Sequence, residues 1–199
     1  MPTNASTPAP PPGRRRRGLV ANPAEDRTSI DPATSISVEF DDARDRADPL
    51  PVDPARLMEL LRATLEAEGV SGPAQVGLSL VDPAEIAQLN AEHLDGEGPT
   101  DVLSFPLEPF ADPDWPAGPG EPARLIGDVV VCPAVAEAQA AGHAGSPADE
   151  LALLVVHAGL HLTGHDHAEP AEAAAMVTRE REILKRCWGP LAGDPWATP

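Results

Sequence analysis

"ADELALLVVHAGLHLTG", residues 148–164, carries no polar side chain between Glu150 and His157. Its apolar residues fall on every side of a 3.6-residue turn, so the segment reads as a helix buried on all faces. Ser146 and Pro147 ahead of it supply helix-start chemistry, and Gly164 supplies the stop. Such a helix has to be wrapped by the rest of its domain, which makes it the centre of the fold. Among its few polar groups are His157 and His161, one turn apart on one stripe.

Working outward, "SISVEF" alternates Ile36, Val38 and Phe40 as a half-buried strand does. "VDPARLMELLRATLEAEG" follows with Asp53 as N-cap, Pro54 at the first helical position, an apolar face of Leu57, Leu60, Leu61 and Leu65, and Gly69 as stop. "QVGLSLV" (75–81) is the next strand, and Asp82, Pro83 and Glu85 open a short helix expected to reach about Asn90. A loop through "AEHLDGEGPT" leads to the strand "DVLSF" (101–105). Proline and glycine then make residues 106–123 an irregular excursion. "LIGDVVVC" (125–132) is a strand, with helices expected from Pro133 to about Ala141 and over roughly 170–187. Early strand–helix alternation followed by a helical half predicts an α+β fold, a small mixed sheet of about four strands covered by helices.

The chain of 199 residues has a net charge of −18. Residues 1–34 hold five Lys and Arg against three Asp and Glu; residues 35–199 hold nine against twenty-nine. So acidic a surface repels polyanions, and any role on nucleic acid has to be local, metal-assisted or helped by a partner. Residues 1–34, with Pro, Ala, Ser, Thr and the run Arg14 to Arg17, bury too little apolar surface to offset ordering entropy and are expected to be a disordered tail. No apolar run approaches the ~20 residues of a membrane span. The apolar stretch after the arginines, Leu19 to Ala21, is short for a secretory signal, so export is not expected. Cys132 and Cys187 form no metal-like cluster and suit a reducing cytoplasm.

The histidines carry the chemistry. An imidazole inside an apolar helix has two ring nitrogens to satisfy, at a cost of roughly 1–3 kcal/mol for each bond unmade. Gly164 permits a left-handed turn that returns the chain and presents His167 to the other two. A shared divalent ion resolves the three rings together, with ligand bonds of ~2.0–2.1 Å for zinc. Three neutral protein ligands leave a coordination position open, as catalytic sites do. The spacing H-x-x-x-H-x-x-G-x-x-H is also that of the metzincin peptidases, whose general base follows the first histidine; Ala158 stands there. Ordinary carbonyl partners for the rings, or a closed structural site with a fourth ligand, are the remaining alternatives. Met176, placed like a Met-turn, reads more simply as core.

"PTDVLSFP" (99–106), "GDVVV" (127–131) and "HAGLHLTGHDHAEP" (157–170), in this order, resemble the YbeY family of bacterial endoribonucleases and ribosomal-RNA maturation factors. The resemblance covers roughly residues 35–187. It implies a cytoplasmic, zinc-dependent, single-strand-specific endoribonuclease in small-subunit ribosomal RNA maturation and ribosome quality control. The implied partners are ribosomal RNA and the small subunit or its proteins. One zinc per chain would sit on His157, His161 and His167, with Thr100, Asp101 and Ser104 lining the groove beside it. Asp166, Asp101 and Arg124 are the nominated catalytic groups: Asp166 to orient a ligand ring or cap the next helix, Arg124 to meet phosphate. Asp128 reads as structural. Two positions depart from the family pattern: His165 replaces a tyrosine, and His93 and Leu94 replace Tyr-Arg. The loop 91–99 has no Lys or Arg. A non-catalytic, metal-stabilised ribosome-assembly factor and a metzincin-like metallopeptidase stay open as alternatives. The expected organisation is a tail over 1–34, one metal-dependent hydrolase domain over 35–189 and a flexible C-terminal tail over 190–199.

Overall fold

Proline opens every helix among the described residues: α1 Pro54–Ala67, α2 Pro83–Leu94, α3 Pro133–Ala140, α4 Pro147–Leu162 and α5 Pro170–Cys187. Its missing N–H is one the first turn leaves without an intrahelical partner in any case. Two starts are reinforced by side chains, Asp53 accepting from the Ala55 N–H and Ser146 from the Asp149 N–H. The computed structural model describes residues 36–45, 48–107 and 122–197. The expected tail over 1–34 and the centre of the excursion over 106–123 lie outside them.

Four strands, β1 Ile36–Asp42, β2 Ala74–Leu80, β3 Val102–Pro106 and β4 Arg124–Val131, form one mixed sheet in the order β1-β2-β4-β3. β1 and β4 run parallel to β2, and β3 closes the far edge antiparallel to β4, Val102 opposite Val131. The protein is thus α+β.

Helix α4 is the hub. It packs on α1, α3, α5 and the strands β3 and β4. Leu151, Val155, Val156, Ala158 and Leu160 are all at most 1% exposed. Gly159 allows the closest approach: a Cβ there would lie 2.9 Å from Thr64 Cγ2 of α1. Full burial of a Leu or Val side chain is worth ~1.5–3 kcal/mol, so this helix alone supplies much of the core.

Two expectations need correction. Helix α2 continues past Asn90 to Leu94, because Ala91 to Leu94 include neither glycine nor proline; Asp95 ends it in the left-handed region at φ 54°. The C-terminal segment is not free over 190–197. The Gly193 N–H donates to Ala144 O at 2.7 Å, the Ala192 N–H to Asp149 Oδ2 at 3.1 Å, and Trp196 Nε1–H to Glu180 Oε2 at 2.7 Å. An indole with a buried acceptor holds down a segment that composition alone makes look loose.

Candidate metal centre and groove

His157 and His161 project from the last two turns of α4. The chain then reverses at Gly164, whose φ of +91° is left-handed and open to glycine at little cost. The His165 N–H donates back to Leu160 O at 3.1 Å, and the Gly164 N–H to His161 O at 3.0 Å. This return brings His167 over the helix end. One ring nitrogen from each of His157, His161 and His167 lies within 4.8 Å of the others.

The partners of the outer nitrogens decide how the rings are protonated. His157 Nδ1–H donates to Glu180 Oε1 at 2.8 Å, and His161 Nδ1–H donates to the His165 carbonyl oxygen at 2.9 Å. A carbonyl and a carboxylate only accept, so in both neutral rings the proton sits on Nδ1. The two Nε2 atoms are then both lone-pair acceptors, and they face each other at 3.1 Å. Neither can donate to the other. A positive charge between them removes that conflict. Ligand atoms ~2.1 Å from a tetrahedral ion stand about 3.4 Å apart, so the spacing fits one divalent cation. Burial, followed by the charge of His157, pushes the pKa of His161 down, which favours the neutral form that binds metal.

Two open spaces border this triad. One is a groove of about 580 Å³ whose lining includes Leu94, Thr100, Asp101, Ser104 and Asp166. The other is a mostly apolar cavity of about 340 Å³ with Met176, Val177 and Trp196 in its lining. Asp101 and His157 border both. The Asp101 carboxylate is fixed by the Thr100 hydroxyl at 3.1 Å, the Val102 N–H at 2.8 Å and the Gln139 amide.

Of the residues nominated from sequence, the three histidines, Asp101 and Asp166 come together, and Thr100 and Ser104 join them. Arg124 does not: it is 9% exposed at the start of β4, opposite Ala74, and is absent from the groove lining. Asp166 takes the His167 N–H at 2.7 Å and touches no ligand ring, and Glu169, not Asp166, is the N-cap of α5. Ring orientation falls instead to Glu180 and the His165 carbonyl, which sequence reasoning missed. His165 turns its own ring away, Nε2 pairing with Glu68 Oε2 at 2.7 Å, while Arg179 holds the other oxygen of Glu68. Leu94, at 56% exposed, stands in the groove wall, and His93 meets the Phe105 ring edge-on at 5.2 Å. Asp128 lies exposed on β4, and Met176 is core at 2%.

An α+β domain that closes three imidazoles around one point beside an open groove defines a class of proteins able to hold a metal ion against a substrate. Residues 46–188 match the family model described as Endoribonuclease YbeY. The Endoribonuclease YbeY of Leifsonia xyli subsp. xyli is 44% identical over 134 residues, 66% of this chain and 85% of that protein. The one from Mycolicibacterium smegmatis is 42% identical over 154 residues, 76% of this chain and 82% of that protein. That of Kineococcus radiotolerans is 41% identical and shares 82% of this chain and 94% of its own. A solution structure of TM1509 from Thermotoga maritima is 25% identical, with a TM-score of 0.48 over 77% of this chain and 90% of that one. This chain belongs to the YbeY family.

Proposed function

We propose that the protein is a zinc-dependent endoribonuclease that hydrolyses phosphodiesters of single-stranded RNA. Its family is one of nucleases, hydrolases acting on RNA, and the chain spans most of each named relative's length. Its setting in this reading is cytoplasmic small-subunit ribosomal RNA maturation and ribosome quality control, with ribosomal RNA and the small subunit or its proteins as partners. No helix among the described residues is long and apolar enough to cross a membrane.

One observation carries the proposal: two imidazole Nε2 atoms, both acceptors when the rings are neutral, stand 3.1 Å apart with a third histidine beside them. His157, His161 and His167 would hold the ion, and imidazole donors suit zinc. When bound, such an ion supplies a Lewis acid and an activated water. Glu180 and the His165 carbonyl keep each Nδ1 protonated and each Nε2 aimed inward. Asp101, immobilised by three donors at the groove edge, is the acceptor for a proton leaving the nucleophile. Thr100 and Ser104 offer hydroxyls along the same wall to a bound RNA strand. A peptidase mechanism lacks its base, since Ala158 is buried and cannot take a proton.

The test joins elemental analysis to an RNA cleavage assay. The purified protein should carry close to one zinc per chain and cut unstructured RNA in a chelator-sensitive way. His157→Ala should lose both properties, and full-rate cleavage by that variant overturns the mechanism.

A non-catalytic assembly factor is the second reading. No Lys or Arg lines the groove, and the whole chain carries −18. A protein neutralising few phosphates binds RNA weakly and with a shallow salt slope. Association with small subunits without turnover at any salt concentration selects this reading.

A further inference from the structure

The segment after α5 is clamped at three points, on α4, on the loop between α3 and α4, and on α5. Trp188 Nε1–H donates to Asp149 Oδ1 at 2.8 Å at the start of α4. The Gly193 N–H reaches Ala144 O. Trp196 Nε1–H donates to Glu180 Oε2 at 2.7 Å, with the Arg181 guanidinium 4.7 Å over the indole ring. The third clamp differs from the others in where it ends: the other oxygen of Glu180 takes the Nδ1–H of His157.

The two helix-borne ligand rings are held differently. His161 is aimed by a backbone carbonyl that the Gly164 turn already fixes. His157 is aimed by a glutamate, whose side-chain torsions leave its carboxylate free to rotate unless something else holds it. Glu180 is 4% exposed at the wall of the cavity of about 340 Å³, so bulk water has little access to supply that second hold. Trp196 supplies it.

We propose that Trp196 is a positioning residue for His157, acting through Glu180, so that docking of the C-terminal segment sets how tightly the triad holds a divalent cation. The proposal rests on the metal reading above. It assigns work to a residue outside the 46–188 matched to the family. Loss of the indole N–H leaves one oxygen of a buried carboxylate without its donor, and the His157 ring is then less narrowly aimed.

Zinc affinity of the full chain, measured against a competing chelator, tests this without reference to cleavage. Trp196→Phe should weaken zinc binding on the order of 10-fold, and Glu180→Gln at least as much, in the range seen when the outer partner of a ligand histidine is altered. Trp188→Phe should bind zinc as the wild type does. In the Glu180→Gln background Trp196→Phe should add nothing, because the path is already cut. Hydrogen exchange at the Gly193 amide reports whether the segment stays docked; if Trp196→Phe releases it, the double variant still decides. Unchanged affinity in Trp196→Phe, or a full second loss on top of Glu180→Gln, overturns the relay while leaving the metal reading intact. A wild-type chain that takes up no zinc overturns the metal reading and the relay with it.

Discussion

Helix α4 has a histidine and a buried carboxylate near each end, and the two ends are finished differently. At the N-terminal end Glu150, 0% exposed, accepts from His143 Nδ1 at 2.9 Å, Gln139 Nε2 at 3.0 Å and the Ala144 N–H at 3.1 Å. Gln139 passes the network on to Asp101. Both oxygens of the buried charge are met by donors from the protein. At the C-terminal end Glu180 is equally well met, by His157 and Trp196. There the shortfall has moved inward, to a pair of ring nitrogens that, with the rings neutral, no donor among the described residues serves. A satisfied network holds a fold together, whereas acceptors turned on one another await something from outside.

The comparison breaks first at Glu150. Glu150→Ala strands the donors around it and should cost about 3–5 kcal/mol in denaturant unfolding, the scale for breaking a buried charged network. His157→Ala relieves the Nε2 conflict but leaves Glu180 Oε1 without its donor, so in metal-free buffer it should cost about 1–3 kcal/mol, less than Glu150→Ala. Equal losses for the two variants would erase the distinction. Next in size is the ion itself: zinc at 100-fold its Kd should raise wild-type stability by about 2.7 kcal/mol and leave His157→Ala unmoved.

A smaller effect concerns pH. Burial alone would raise the Glu68 pKa, but its hydrogen bonds to Arg179 and His165 outweigh this and hold it below the ordinary 4.5. A carboxyl depressed in the folded state stabilises fully above its unfolded pKa and loses that contribution as pH falls through the folded value. Wild-type stability should therefore decline below about pH 4.5 more steeply than that of Glu68→Gln, read from midpoints across an acid series. The smallest change belongs to Asp166→Asn, within about 0.5 kcal/mol in stability and with only a small effect on zinc affinity, because the exposed carboxylate hydrogen-bonds the backbone of its neighbour and reaches His161 by charge alone. A large drop in zinc affinity there would restore Asp166 to the ring-orienting role that Glu180 now holds.

What could be read from the sequence was whatever repeats or caps locally. The all-round apolar pattern of α4, the Asp-Pro and Ser-Pro helix starts and the alternation in β1 lie within one element each, and those elements formed as expected. The triad was also legible, because i, i+4 and a glycine turn lie within eleven residues. The rest depends on distance along the chain. Glu180 is 23 residues from His157, Glu68 is 97 from His165, and Trp196 is 16 from Glu180. No periodicity marks such partners, since only the packing of α5 and the final segment against α4 brings them within reach. Arg124 lies buried away from the groove for the same reason, burial being a property of the assembled sheet. The extra turn of α2 was missed where a loop-rich composition after Leu94 was read too early.

The reversal at Gly164 has a kinetic consequence. His161, its own hydrogen-bond acceptor at His165 and His167 all belong to one terminal turn and the hairpin of chain that follows it. Uncoiling of that turn would free at once two of the three bonds of an ion held there. Its residence time would then follow the fraying rate of a helix end, so that substituting Gly164 with a residue averse to left-handed backbone should shorten occupancy without altering a single donor atom.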